Sequence, residues 1–177
     1  MTHRPGVYIV PTDTWYIERT VWLIAGIVLV TATTLAIFVN PLWVLLVIAT
    51  ALSSIVVSLT GFCPVGNVLS RLGFASRLGE PKSTRGNFYF MRTDSWYLER
   101  RIYLVVGINL TIASTLSLVH SPWWLAFTGF VGVAMVWFAV TGFCIMANGL
   151  YWLGYEPRLA PHCPVASPGD TATRATT

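Results

Sequence analysis

The sequence predicts an all-α membrane protein: four transmembrane helices forming two tandem helical hairpins, related by a pseudo-two-fold along the membrane normal. Three observations predict it. Of 177 residues, 55% are hydrophobic and only 18 are charged, 11 basic and 7 acidic, against roughly 25% charged in a typical soluble domain. Those charges are confined to residues 4–19, 71–101 and 156–174, leaving two uncharged stretches from Val21 to Ser70 and from Ile102 to Tyr155. And the chain repeats itself at an offset of 81 residues. The composition, with a mean hydropathy of +0.66, excludes a disordered chain, a nucleic-acid-binding arm and an ordinary soluble enzyme.

Each uncharged stretch is long enough for two crossings of ~20 residues. A break near the middle of each, Asn40-Pro41 and Ser121-Pro122, divides it into two spans joined by a tight tip. The expected spans are about 21–39, 42–60, 102–120 and 123–146. The first is expected to be a retained span, not a cleaved signal peptide: it is long, lacks a strongly basic start, and has a full copy later in the chain. The expected organisation is a first hairpin unit at 1–74, a linker at 75–90, a second unit at 91–155 and a mobile tail at 156–177.

The connection between the hairpins carries Arg71, Arg77, Lys82, Arg85, Arg92, Arg100 and Arg101, whereas the tips carry no charge. By the positive-inside rule the connection and both termini are cytoplasmic. The net charge of +4 is then a topology signal suited to an anionic leaflet; nucleic acid is not an expected partner. Trp15, Tyr16, Trp22, Trp96, Tyr97 and Tyr103 stand near the starts of the first and third spans, and Trp43, Trp123 and Trp124 near the tips, where aromatic belts anchor helices at the two interfaces.

At offset 81, residues 10–74 align with 91–155 without a gap, with about 23 of 65 positions identical. Glu18-Arg19 meets Glu99-Arg100, Gly26 meets Gly107, and Thr60-Gly61-Phe62-Cys63 meets Thr141-Gly142-Phe143-Cys144. An even number of crossings per unit leaves both copies in one orientation, unlike the inverted repeats of many transporters. A hairpin returns to its starting side, so Glu-Arg and Gly-Phe-Cys meet at the cytoplasmic interface, where water can solvate an ion pair. Gly61 and Gly142 allow a helix end or close approach there. Small residues, Ala32 and Ala36 or Ala49 and Ser53, allow helices to pack closely.

The order Glu-Arg, Gly, apolar hairpin, Thr-Gly-Phe-Cys-Pro, Leu-Gly resembles the small YgaP-like inner-membrane domain, the DUF2892 type. The matching residues are Glu18, Arg19, Gly26, Gly61, Phe62, Cys63, Pro64, Leu72 and Gly73, and in the second copy Glu99, Arg100, Gly107, Gly142, Phe143, Cys144, Leu153 and Gly154. The resemblance covers about 130 of the 177 residues. It implies a bacterial inner-membrane protein of short hairpins, often paired as dimers, so that a tandem copy is a fused dimer. Some members of that family carry a rhodanese domain, which handles sulfane sulfur as a cysteine persulfide; no such domain is recognised here. Cys63-Pro64-Val65-Gly66-Asn67-Val68 has the glycine of a rhodanese loop but valine in place of its arginine, and Ile145, not proline, follows Cys144.

Three cysteines occur, Cys63, Cys144 and Cys163, all on the side expected to be cytoplasmic and reducing, where structural disulfides are not favoured. Cys63 and Cys144 are candidate redox thiols that face each other across the pseudo-two-fold, with Arg19 and Arg100 as cations able to lower a thiol pKa. The alternative is a pair of buried, inert cysteines that pack at helix ends. Cys63, Cys144, His162 and Cys163 together have the ligand types of a zinc or copper(I) site, without its characteristic close spacing. No metal or other cofactor is expected. The spans hold no Asp, Glu, Lys or Arg; Asn109 is their most polar side chain, with Thr31, Thr33, Thr34, Thr111, Ser114 and Thr115 around it, available to bond neighbouring helices. That composition disfavours proton-coupled transport, and no phosphate loop, nucleophile elbow or paired carboxylate appears.

Three functions follow. The first is a non-catalytic subunit, scaffold or anchor of a membrane assembly, whose partners are the lipid bilayer and other membrane proteins or further copies of the chain. The second is a sulfane-sulfur or redox relay through Cys63 and Cys144 with a cytoplasmic sulfurtransferase. The third is a permease for a small sulfur anion.

Overall fold

The computed structural model describes residues 6–79 and 88–159. The described residues are helical apart from isolated bridges and connecting segments. Four long helices dominate: α1 (Ile17–Phe38), α2 (Val44–Thr60), α4 (Leu98–Val119) and α5 (Trp124–Thr141), with two short ones, α3 (Pro64–Arg71) and α6 (Ile145–Trp152), following α2 and α5. A 3-10 turn at Pro41–Trp43 leads into α2, and with it four helical segments are long and apolar enough to cross a membrane. The chain is an integral, multi-pass membrane protein.

The tips form where expected. Asn40 Oδ1 accepts a hydrogen bond from the Leu42 amide at 2.8 Å, and Pro41 takes the first position of the turn, where a missing N–H costs nothing. At the second tip His120 ends α4 and accepts from the Trp124 indole at 3.4 Å. The charged end differs from expectation in two ways. α1 and α4 begin at Ile17 and Leu98, four residues early, so Glu18-Arg19 and Glu99-Arg100 lie in their first turns. α5 ends at Thr141, short of 146, because Gly142 adopts φ +74° and stops it just as Gly61, at φ +74°, stops α2.

That left-handed conformation alone favours glycine. Contact adds a second requirement, since a β-carbon on Gly61 would run into the Met91 carbonyl, and one on Gly142 into the Val10 carbonyl. Gly61→Ala and Gly142→Ala are each expected to cost at least the ~1 kcal/mol of the left-handed conformation, plus the clash. A lowered thermal midpoint of the detergent-solubilised protein is the check.

The helices do not pack chiefly within their own hairpins. α1 lies mainly on α5, and α4 mainly on α2. Gly26 makes the first contact possible: a β-carbon there would sit 2.8 Å from the Gly132 carbonyl and 2.9 Å from the Val136 amide nitrogen. At Gly107 it would sit 3.0 Å from the Ala51 carbonyl and 3.1 Å from the Ile55 amide nitrogen. In hydrocarbon, where apolar surface is not driven together by water, such close backbone approach is what holds helices. Thr33 and Thr128 share a hydrogen bond of 3.0 Å between α1 and α5, and Ser54 and Ser58 of α2 donate to the Tyr103 and Arg100 carbonyls of α4 at 2.9 and 3.1 Å. Thr34, Asn109, Thr111, Ser114 and Thr115 instead bond back to carbonyls of their own helices, the local alternative open to short polar side chains.

The aromatics near the charged end also depart from a simple belt. Tyr16, Trp22, Tyr97 and Tyr103 are buried. Trp22 stacks on Phe138, ring centroids 4.4 Å apart. Near the tips Trp43, Trp123 and Trp124 are exposed, as interface anchors are.

Candidate functional site

The Glu-Arg and Gly-Phe-Cys residues of the repeat gather at the charged end, and there each unit is held by the other. The last four carbonyls of a helix have no partner within it. At the end of α5, two of them accept from Arg19 of the first unit: Nε donates to the Ala139 carbonyl at 2.7 Å and Nη2 to the Val140 carbonyl at 3.4 Å. Nη1 donates to the Thr12 and Thr14 carbonyls at 2.9 and 3.1 Å. Arg100 does the same for α2, donating to the Ser58 and Leu59 carbonyls at 2.7 and 3.4 Å and to Thr93 and Ser95 at 3.0 and 3.1 Å. Trp15 and Trp96 lie under the two guanidinium groups, each 4.0 Å from the ring centroid. A cation at a helix C-terminus also meets its dipole favourably.

Glu18 and Arg19 are therefore not a water-solvated ion pair. Adjacent positions on a helix point apart, and both side chains are buried. Glu18 accepts from Ser76 Oγ at 2.7 Å, the Leu78 amide at 2.8 Å, Tyr89 Oη at 3.0 Å and the Arg77 amide at 3.2 Å. Glu99 accepts from the Leu159 amide at 2.8 Å, and from Tyr8 Oη and the Arg158 amide at 2.9 Å each. In each case the amides come from the segment that follows the carboxylate's own unit, and the phenol from the segment preceding the other unit's first helix. Those same connecting segments serve the helix starts: the Ile17 amide donates to the Ala75 carbonyl, and Leu98 to Glu156, both at 2.9 Å.

Residues outside the sequence-derived candidates complete the arrangement. Asn67 exchanges hydrogen bonds with the Tyr89 backbone at 2.8 and 3.0 Å, and Asn148 with the Tyr8 backbone at 2.7 and 3.0 Å. Arg77 pairs with Asp13 at 3.1 Å, and Arg158 with Asp94 at 2.8 Å. Burial first, and then Glu99 beside Tyr8 and Glu18 beside Tyr89, hold these two phenols well above their ordinary range, so both remain donors. Arg158 bonding to Asp94 holds that carboxyl below its usual value. All these pairs, Tyr8/Tyr89, Asn67/Asn148, Asp13/Asp94 and Arg77/Arg158, are identical at offset 81, which is the signal that could have found them.

Cys63 and Cys144 are free thiols at the N-caps of α3 and α6. Cys63 is buried, and its Sγ accepts from the Gly66 amide at 3.2 Å, behind Pro64 at the first helical position. Cys144, which lacks the proline, makes no side-chain cap and is half-buried. Burial pushes the Cys63 thiol up, the Gly66 and Val65 amides pull it down, and the charge that acts on it is the Glu18 carboxylate, which raises it further. Arg19 and Arg100 spend their donors on carbonyls. Cys63 is thus expected to be labelled by an uncharged maleimide at neutral pH more slowly than Cys144, by about tenfold or more given how strongly thiolate fraction and access control the rate; mass spectrometry of quenched time points is the check.

Phe62 and Phe143 form isolated bridges with Phe90 and Ile9, so the Gly-Phe-Cys segment of each unit meets the strand-like segment that precedes the other unit's first helix. Among the described residues no group of three or more His, Cys, Asp or Glu is placed to hold a metal; His162 and Cys163 lie outside the described residues. Comparison with family models, curated proteins and solved structures finds no match.

Proposed function

We propose that the protein is a non-catalytic subunit, scaffold or anchor of a membrane assembly, a YgaP-like pair of hairpins fused in one chain. In this reading it lies in a bacterial inner membrane with the charged end and both termini cytoplasmic, and its units are related by a pseudo-two-fold along the membrane normal. One observation carries the reading: the buried charged side chains of the repeat are spent on the protein's own backbone. Arg19 and Arg100 close helix ends, and Glu18 and Glu99 gather loop amides. Groups so engaged are poor candidates to bind or turn over a substrate. The spans meanwhile offer large apolar side chains outward, among them Leu45, Phe130, Val133 and Trp137, to lipid or to other membrane helices. The topology rests on the basic connection between the hairpins.

A relay of sulfane sulfur from a cytoplasmic sulfurtransferase through Cys63 and Cys144 is the second reading, favoured by the free and half-accessible Cys144 thiol. A permease for a small sulfur anion has less support, because the 21–70 and 102–155 stretches carry no cation. Purification in mild detergent from native membranes separates the readings. The subunit reading expects a stoichiometric membrane-protein complex that persists in Cys63→Ser/Cys144→Ser. A solitary protein that becomes persulfidated on incubation with polysulfide, and loses this in the double variant, would replace it with the relay.

A further inference from the structure

Because α1 lies chiefly on α5 and α4 on α2, the two helices of each hairpin meet less closely than the cross-unit pairs do. Two seams result, α1 with α2 and α4 with α5, and they are not filled alike. Along the first runs a groove of about 250 Å³, bounded by Ala25 and Val28 of α1, Ser53 and Val57 of α2, and Tyr103 and Leu110 of α4. Cys63 closes it at the charged end, and the exposed Ala49 stands at its side. At the corresponding place in the other seam, 81 residues along, Phe138 replaces Val57 and Trp22 replaces Tyr103. Those two rings are buried and stacked at 4.4 Å, occupying the space that the smaller pair leaves open.

The groove lies within the spans. From Val21 to Val28, both in its lining, α1 rises about 10 Å at ~1.5 Å per residue, most of one leaflet of a ~30 Å hydrocarbon core. Its lining is almost entirely apolar, and two of its hydroxyls are already engaged, Ser54 with the Tyr103 carbonyl and Thr50 with the Leu46 carbonyl. Water needs two to four polar partners to occupy a cavity, whereas an apolar cavity of even ~150 Å³ takes up a hydrocarbon. The end at which the groove closes carries the basic excess of the chain, Arg71 of α3 included, which suits an anionic headgroup.

We infer that the α1–α2 groove holds one acyl chain of an anionic phospholipid from the leaflet at the charged end, and that the α4–α5 seam holds none. The lipid is a built-in filler of a void that sequence divergence between the two hairpins has opened. Its chain lies against the Cys63 thiol, which accordingly faces hydrocarbon instead of water.

The test reconstitutes the full chain in phosphatidylglycerol vesicles whose acyl chains carry a photoactivatable diazirine. Label is expected to concentrate in 49–57 and 103–110, above the level on the outward Phe130 and Val133 of α5. Two variants fill the groove with side chains that the other hairpin already uses: Val57→Phe/Tyr103→Trp inside it, and Ala49→Phe at its exposed side. Each should bring the label on those two segments down to the outer-face level while leaving α5 labelling and the thermal midpoint in place; Ala49→Phe, at an exposed position, keeps the test decisive if the buried pair perturbs folding. Labelling that is even over all exposed faces and indifferent to both variants would overturn the inference. So would cross-links between two copies of the chain through Ala49→Cys, which would make the occupant a second copy.

Discussion

Replacing Arg19 or Arg100 by alanine is expected to lower the stability of the solubilised protein by about 3 kcal/mol or more, since each loses several charge-assisted hydrogen bonds valued at ~1.5–3 kcal/mol apiece. The strongest are the short ones to Ala139 and Ser58, at 2.7 Å each. For a protein of this size that is a fall in thermal midpoint of roughly 6–12 °C. The two variants should fall by similar amounts, because the two arginines have the same partners at offset 81. Lysine should rescue little: its point charge cannot reach helix-end and loop carbonyls at once, as the planar fork does. If either alanine variant melted with the wild type, the helix ends would not depend on the other unit's arginine.

Glu18→Ala and Glu99→Ala are expected to be comparably damaging. Removal of Glu18 strands the buried Tyr89 hydroxyl and the Leu78 amide, and a buried donor left unpaired costs ~1–3 kcal/mol. Glutamine should not restore the loss, because its amide end turns donors toward donors. The same network fixes a pH dependence. Tyr8 and Tyr89 have phenol pKa values raised by burial and then by the adjacent carboxylates, so the folded state keeps protons that an unfolded tyrosine gives up near pH ~10. Their contribution is complete below that pH and is lost progressively as pH rises from there toward the raised folded-state values. Thermal midpoints measured from pH 8 to 11 should therefore fall at the alkaline end, and fall less in Tyr8→Phe/Tyr89→Phe.

The four spans and two hairpins were legible because hydrocarbon excludes charge: eighteen charged residues placed outside two long gaps leave few alternatives. The repeat made the Glu-Arg and Gly-Phe-Cys residues visible as a set. Which helix packs on which was not legible. Helices apolar on every side carry no amphipathic stripe to indicate a partner, and the choice of α5 for α1 rests on Gly26 meeting Gly132, a match that only three dimensions reveal. The burial of Glu18 and Arg19 was missed for a related reason. A charged pair at a span boundary suggests solvation, and nothing local tells that its partners stand in the other unit. Tyr8 and Tyr89 precede the gap-free aligned window by two residues, and Arg77 and Arg158 follow it. Extending the same offset a few residues in both directions brings them in. The uncharged stretch alone extends the fourth span to 146, but the left-handed Gly142 ends α5 at Thr141.

The central claim is that neither hairpin is complete alone: the start of each unit closes the helix end of the other. Cutting the chain between Gly79 and Phe88 tests this most directly. Co-expressed as 1–79 and 88–177, the halves should co-purify one to one from membranes and melt as a single unit, and Arg19→Ala in the first half should weaken its hold on the second. Halves that fold separately, stay apart as monomers, and ignore that substitution would contradict it.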